Sequence, residues 1–117
     1  MRQGDILIIN FPFSDMTAGK PRPALVISNE KHNDRDVDRL FVLISSNTQV
    51  RSEEDLVIEP GDPDFAVSGL KVASVFRCSK LVNLDSTKLR AKRIGHIGSA
   101  LVREVADTIS AVVHASC

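Results

Sequence analysis

Short apolar runs, separated by polar stretches rich in proline and glycine, set the rhythm of the chain. Asp5–Phe11 is apolar and β-branched and stops at Pro12, which predicts a buried first strand. The stretch from Pro12 to Pro23 is dense in Pro, Gly, Ser and Asp and reads as a long loop or a wide hairpin tip. Pro23–Ser28 predicts a second strand with proline confined to its first position. Arg39–Ser45 predicts a third, too apolar to have one face in water. The intervening Asn29–Asp38 is polar with alternating charge and is expected to be a solvated loop. Asp55–Glu59 alternates and ends at Pro60-Gly61, the pattern of a half-buried strand and a turn. Lys71–Arg77 reads as a strand running on to Leu81-Val82, Asp85–Arg90 as one helical turn capped by Asp85, and Arg93–Ile97 fits no single period. Helical periodicity is confined to Ser99–His114, where Ala100, Leu101, Val105, Ile109, Val112 and Val113 form a stripe opposite Arg103, Glu104 and Asp107. Five or more short strands and a terminal helix predict a mainly β fold, a small bent antiparallel sheet or barrel carrying one C-terminal helix.

A length of 117 residues is one domain's worth, residues 1–117, with no linker or internal repeat in view. No apolar run approaches the ~20 residues of a membrane span, and Gly4-Asp5 breaks the only place a leader could start. A cytoplasmic protein without membrane contact is the expectation. Cys78 and Cys117 offer no metal-ligand spacing and no disulfide framework. Cys78 is expected to be a small core or sheet residue, and Cys117 to be exposed. Lys+Arg and Asp+Glu number 15 each, yet residues 1–60 carry 7 basic and 10 acidic side chains and residues 61–117 carry 8 and 5. That asymmetry allows a partial basic face but not an indiscriminate, charge-driven nucleic-acid binder. The absence of Trp and Tyr also removes the best stacking platforms.

No phosphate loop, paired metal-binding histidines or nucleophile elbow is present, and His32, His96 and His114 are scattered. The chemistry-bearing pattern is a polar set attached to apolar strands. Arg22 is held between Pro21 and Pro23, Ser45-Ser46 ends the third strand, and Arg77 ends the strand from Lys71. Arginines at strand ends suit phosphate, because the planar fork offers five donors and stays charged. Two readings stay open at this point: the arginines grip phosphate, or they pair with the acidic N-terminal half. Ser45 and Ser46 likewise either face a ligand or satisfy backbone groups where the strand turns.

Taken in order, these residues resemble a known family. Gly4-Asp5 before an apolar strand, Phe11-Pro12-Phe13-Ser14-Asp15, and Lys20-Pro21-Arg22-Pro23-Ala24-Leu25-Val26-Ile27-Ser28 are similar to the N-terminal signature of MazF/PemK (Kid-like) toxins. Ile44-Ser45-Ser46, Ser68-Gly69-Leu70-Lys71, Val75-Phe76-Arg77-Cys78, Leu84-Asp85, Lys92-Arg93-Ile94-Gly95 and the terminal helix continue the likeness over nearly the whole chain. The resemblance implies an SH3-like (CcdB/MazF-type) antiparallel barrel, a homodimer, and a metal-independent, sequence-specific endoribonuclease held inactive by a cognate antitoxin. Cofactors are expected to be none. In such an enzyme the nucleophile is the RNA's own 2′-OH, so the protein positions the phosphate and stabilises the anionic transition state. Carried over residue by residue, the resemblance makes Arg22, Ser45 and Arg77 catalytic, with Asp15 as the nearest acidic group for base work. Lys20, Ser46, Ser79 and Lys80 are the expected single-stranded RNA contacts. Ser79 stands where some members carry an Asp, and no acidic or His side chain lies in Met16–Pro21, so the general base is the point of departure from the family pattern. The alternatives are a non-catalytic, CcdB-like protein-binding toxin, or a degenerate relative that binds only an antitoxin.

Overall fold

The computed structural model describes residues 1–10, 20–50 and 52–115. Six strands form one antiparallel sheet: β1 (Asp5–Asn10), β2 (Arg22–Val26), β3 (Asp38–Ser45), β4 (Asp55–Ile58), β5 (Ser74–Asp85) and β6 (Arg90–His96). Among the described residues three helices accompany them, α1 (Glu30–Arg35), α2 (Phe65–Ser68) and α3 (Ser99–Val113). The spatial order is β4-β5-β3-β2-β1-β6. The mainly β class with a C-terminal helix matches expectation, but the sheet is not closed into a barrel. Among the described residues, β4 and β6 are its two edges and do not pair with each other.

The central strands β1, β2 and β3 are largely apolar because the middle of the sheet is buried on both faces, with alternate residues going to separate cores, whereas the edge strand β6 is mostly exposed and polar. Ile6, Leu25, Ile27, Val42, Ile44, Ile58, Phe76 and Cys78 form one cluster, joined by Val105 of α3. Leu7, Ile9, Ala24, Val26, Phe41 and Leu84 form the second. Helix α3 docks through Val105, with Leu101, Val102, Ala106 and Ile109 packed beside it. Burying an aliphatic side chain of this kind is worth about 1.5–3 kcal/mol, so the docking face holds the helix firmly. The observed face differs from the expected stripe at its end: Val112 and Val113 are exposed, and Ala100 too faces solvent. The chain turns them past the edge of the core.

Three local expectations need amending. Asn29–Asp38 is not a loop throughout, because it contains α1, whose first turn is capped by Asn29 Oδ1 accepting from the His32 N–H. Asn33 anchors that helix, accepting from the Ser28 hydroxyl at 2.7 Å and donating to the Ser28 carbonyl at 2.8 Å. Of Arg93–Ile97, the stretch Arg93–His96 is the second half of β6, paired with β1, and Ile97 lies just beyond it. Helix α2 has no apolar period to announce it, since it is a single turn of four residues. The turn after β5 is 3-10 in type, Ser86–Lys88, with the Asp85 carboxylate capping it as expected.

Candidate functional site

Sheet register brings distant residues together at one end of β2 and β3. Ala24 pairs with Leu43 and Leu25 with Val42, so the same register continued by two residues sets Arg22 opposite Ser45. Here the sheet is flanked by β6, by the segment after α2 and by β5, and the walls enclose a cleft of about 850 Å³. Arg22, Ser45, Ser46, Arg77 and Lys80 all line it, joined by Lys71 and Lys92. No acidic side chain is among the described residues that line this cleft, whereas five basic ones are. Ile8, Pro23, Leu43, Leu70 and Ile94 supply an aliphatic floor between the charges.

Two glycines hold the wall in place. Gly69 ends α2 with φ +75°, in the left-handed region, and a Cβ there would overlap the Ile94 carbonyl. On the facing strand, a Cβ at Gly95 would overlap the carbonyls of Val67 and Ser68. These are the Ser-Gly-Leu-Lys and Arg-Ile-Gly pieces of the sequence pattern. Their physical purpose is the close approach of α2 to β6, which presents Leu70 and Lys71 to the cleft.

The two arginines are held differently. Arg22 is exposed and, among the described residues, its guanidinium has no ion pair. Arg77 is only 5% exposed. Its Nη1 donates to Asp55 Oδ2 at 2.6 Å and to the Gln49 carbonyl at 3.2 Å, and its Nη2 donates to the Asn47 carbonyl at 2.7 Å. Asp55 stands directly opposite Arg77 in the β4–β5 register, so the ion pair is a cross-strand pair. Of the two open readings of the arginines, pairing with the acidic half holds for Arg77, while Arg22 makes no such pair among the described residues.

Ser45 is half-buried, and its Oγ accepts from the Asn47 N–H at 3.1 Å. Its O–H is left to donate, since no acceptor for it lies among the described residues. Ser46 is exposed beside it. Lys80 reaches the cleft through an irregularity in β5: Leu43 pairs with Arg77 but Val42 with Leu81, so Cys78, Ser79 and Lys80 have no partner on β3. Ser79 and Lys20 are exposed and lie outside the lining of the cleft. Asp15 falls outside the described residues, as does Cys117. Sequence reasoning missed Lys71 and Lys92 as lining groups, although both sit in the motif pieces that carry the wall glycines.

Cys78 is fully buried. Burial first, then the negative charges of Asp55, Glu104 and Glu54, push its thiol up from 9.0 to about 11, so it is a packed thiol and not a nucleophile. His32 Nε2 lies 3.1 Å from the Asp38 carbonyl, and His96 Nδ1 lies 3.3 Å from Arg93 Nη2, both away from the cleft. Among the described residues no helix is long and apolar enough to cross a membrane.

Comparison with solved structures finds the same architecture elsewhere. MazF of Deinococcus radiodurans is 19% identical, with a TM-score of 0.75 over 98% of this chain and 97% of that one. The MazE–MazF complex of the same organism gives 18% identity and 0.72 over 99% and 97%. An endoribonuclease from a mycobacterial species, solved with its cognate antitoxin, gives 16% and 0.69 over 97% and 94%. No curated protein matches the chain significantly. A family profile described as the PemK-like, MazF-like toxin of type II toxin–antitoxin systems matches residues 2–113. With that match spanning nearly its whole length, the chain belongs to the PemK-like, MazF-like toxin family.

Proposed function

We propose that the chain is a metal-independent endoribonuclease that cuts single-stranded RNA through attack of the substrate's 2′-OH, leaving a 2′,3′-cyclic phosphate and a 5′-OH. Toxins of this family are in general endoribonucleases. The observation that carries the reading is the cationic cleft at the end of β2 and β3 that both Arg22 and Ser45 line. The Arg22 guanidinium there, without an ion pair among the described residues, meets the phosphate with two N–H donors and offsets the charge that builds on its oxygens. A guanidinium keeps its charge and offers only donors, so base work does not fall to Arg22. The Ser45 hydroxyl, turned by the Asn47 N–H, donates to a phosphate oxygen. Ser46 and Lys80 hold flanking phosphates. Base work falls to Asp15 or to water, and an in-line geometry needs a splayed strand, hence single-stranded substrate.

The partner that fits such a cleft is a cognate antitoxin segment that is acidic and apolar, laid over the cations and the aliphatic floor, so that neutralisation is competition with RNA. A homodimer is the proposed assembly.

The test is cleavage of single-stranded RNA by purified protein in EDTA, with end-group analysis of the products. Arg22→Ala should lose about 10²–10³-fold in rate, the scale of removing one transition-state donor, with an unchanged circular-dichroism melt. Cleavage that requires a divalent ion contradicts the mechanism. A second reading, a toxin acting by protein contact, rests on exposed Val112 and Val113 at the end of α3. It predicts that growth arrest persists in Arg22→Ala.

A further inference from the structure

We infer that Arg77 is a positioning residue, a buried staple that fixes the Ser45 hydroxyl from behind through the backbone of Asn47, and not a group that touches the phosphate. This inference rests on the ribonuclease reading above.

The connections run in one direct line. Asp55 holds the Arg77 guanidinium from the neighbouring strand, with side-chain exposures of 6% and 4% for the Arg77–Asp55 pair. The guanidinium holds the Asn47 and Gln49 carbonyls. Asn47 in turn gives its N–H to Ser45 Oγ, and its own Oδ1 accepts from the Gln49 N–H at 3.1 Å. The segment after β3, Ser46 to Val50, is otherwise exposed, four polar residues and then Val50, with no apolar side chain buried to anchor it. Arg77 is therefore the anchor. A guanidinium suits this task because its planar fork spans two carbonyls and a carboxylate at once, which a lysine ammonium cannot do in fixed geometry. The same arrangement disqualifies it as a phosphate ligand. Three of its five N–H donors are spent, its charge is offset by Asp55, and 5% exposure leaves little surface to offer.

Arg22 and Arg77 thus divide the work, one exposed to grip and one tied to hold. A hydroxyl held within a narrow range of angles raises the rate of the chemical step without adding affinity. Loss of the staple should accordingly appear in kcat and leave RNA affinity almost untouched.

The experiment compares wild type, Arg77→Met, Asp55→Asn and the double variant Arg77→Met/Asp55→Leu, on one single-stranded oligonucleotide carrying a cleavable site. The double variant removes both charges together and guards against unfolding from an orphaned buried carboxylate. Each is read for kcat, KM, the salt dependence of RNA binding, and hydrogen exchange at the Asn47 and Gln49 amides. The inference expects kcat to fall 10-fold or more in all three variants, KM to stay within about 2-fold, the salt slope to be unchanged, and both amides to exchange faster. A salt slope reduced by about 0.7 in Arg77→Met, the signature of one lost phosphate contact on a single strand, overturns it. So does unchanged protection of the Asn47 amide. A wild-type protein inactive on every RNA overturns the nuclease reading instead, and the exchange data still decide whether the staple exists.

Discussion

The cleft beside β2 and β3 and the groove beside α3 are both concave and differ in sign. The cleft is lined by Arg22, Lys71, Arg77, Lys80 and Lys92, with no acidic side chain among its described residues. The groove, about 590 Å³, is lined by Glu53, Glu54, Glu104 and Asp107, with Arg103 the one basic group among its described residues. A chain of zero net charge thus carries two local fields of opposite sign. Composition speaks to bulk behaviour, whereas recognition depends on which residues the fold sets side by side. The half-chain charge asymmetry gives only a faint version of this, because Arg22 belongs to the acidic half and Glu104 to the basic half.

Neutralising each surface in turn should break that comparison most visibly. Lys71→Gln, Lys80→Gln and Lys92→Gln together remove three cations from the lining of the cleft. With about 0.7 of salt slope per phosphate contact on a single strand, the slope should fall by about 2, and affinity near 0.1 M salt by roughly 100-fold. Glu53→Gln with Glu104→Gln, on the groove, should leave the slope unchanged. Equal effects from the two sets would mean that RNA follows overall charge and has no preference for the cleft.

The wall of the cleft gives the next effect in size. Gly95→Ala forces a methyl against the Val67 and Ser68 carbonyls, and overpacking of this kind costs about 1–3 kcal/mol. A melt followed by circular dichroism should fall by roughly 5–15 °C. Gly61 is the control, since a Cβ there meets nothing within 4 Å. Gly61→Ala should melt like wild type. A tolerated Gly95→Ala would show that α2 and β6 do not need their close approach.

How much of this was legible beforehand follows from where the information sits. The strands were readable because two buried faces demand unbroken apolar runs, as in Arg39–Ser45. Helix α1 was hidden because its stability comes from the Asn29 cap and from the Ser28–Asn33 pair, neither of which has a period. The open edges of the sheet were equally hidden, since closure depends on pairing between β4 and β6, far apart in sequence. Arg22 and Ser45 were accessible as strand-end residues, while Lys71 and Lys92 enter only through the packing of Gly69 on β6. The hardest case was Arg77. A guanidinium's partner is set by register across β4 and β5, and no local pattern tells a gripping arginine from a tied one.

The smallest expected effect concerns the boundary between the two fields. Phe76 and Cys78 face the first core cluster, and Arg77 between them points the other way. The Cys78 N–H donates to the Glu54 carbonyl at 3.1 Å, so this residue lies on the side of the acidic groove. Its thiol, raised from 9.0 to about 11 chiefly by burial and further by Asp55, Glu104 and Glu54, is a reporter of that side. The neutral thiol is the form the fold prefers. Its contribution to stability is complete below pH 9, where the unfolded chain's thiol is also protonated, and is lost as pH rises towards 11. The stability difference between the Cys117→Ser protein and its Cys78→Ala derivative should therefore shift against the cysteine across that window. At pH 8 the Cys78 thiol should react with a disulfide reagent only as fast as the fold opens, accelerating with denaturant. Glu104→Gln removes one negative neighbour but leaves burial, the larger cause, in place, so the thiol should titrate lower by less than the full shift. Rapid native-state labelling that denaturant does not accelerate would show that Cys78 is reached from solvent, and the acidic side of β5 would then be open where the packing of α3 now closes it.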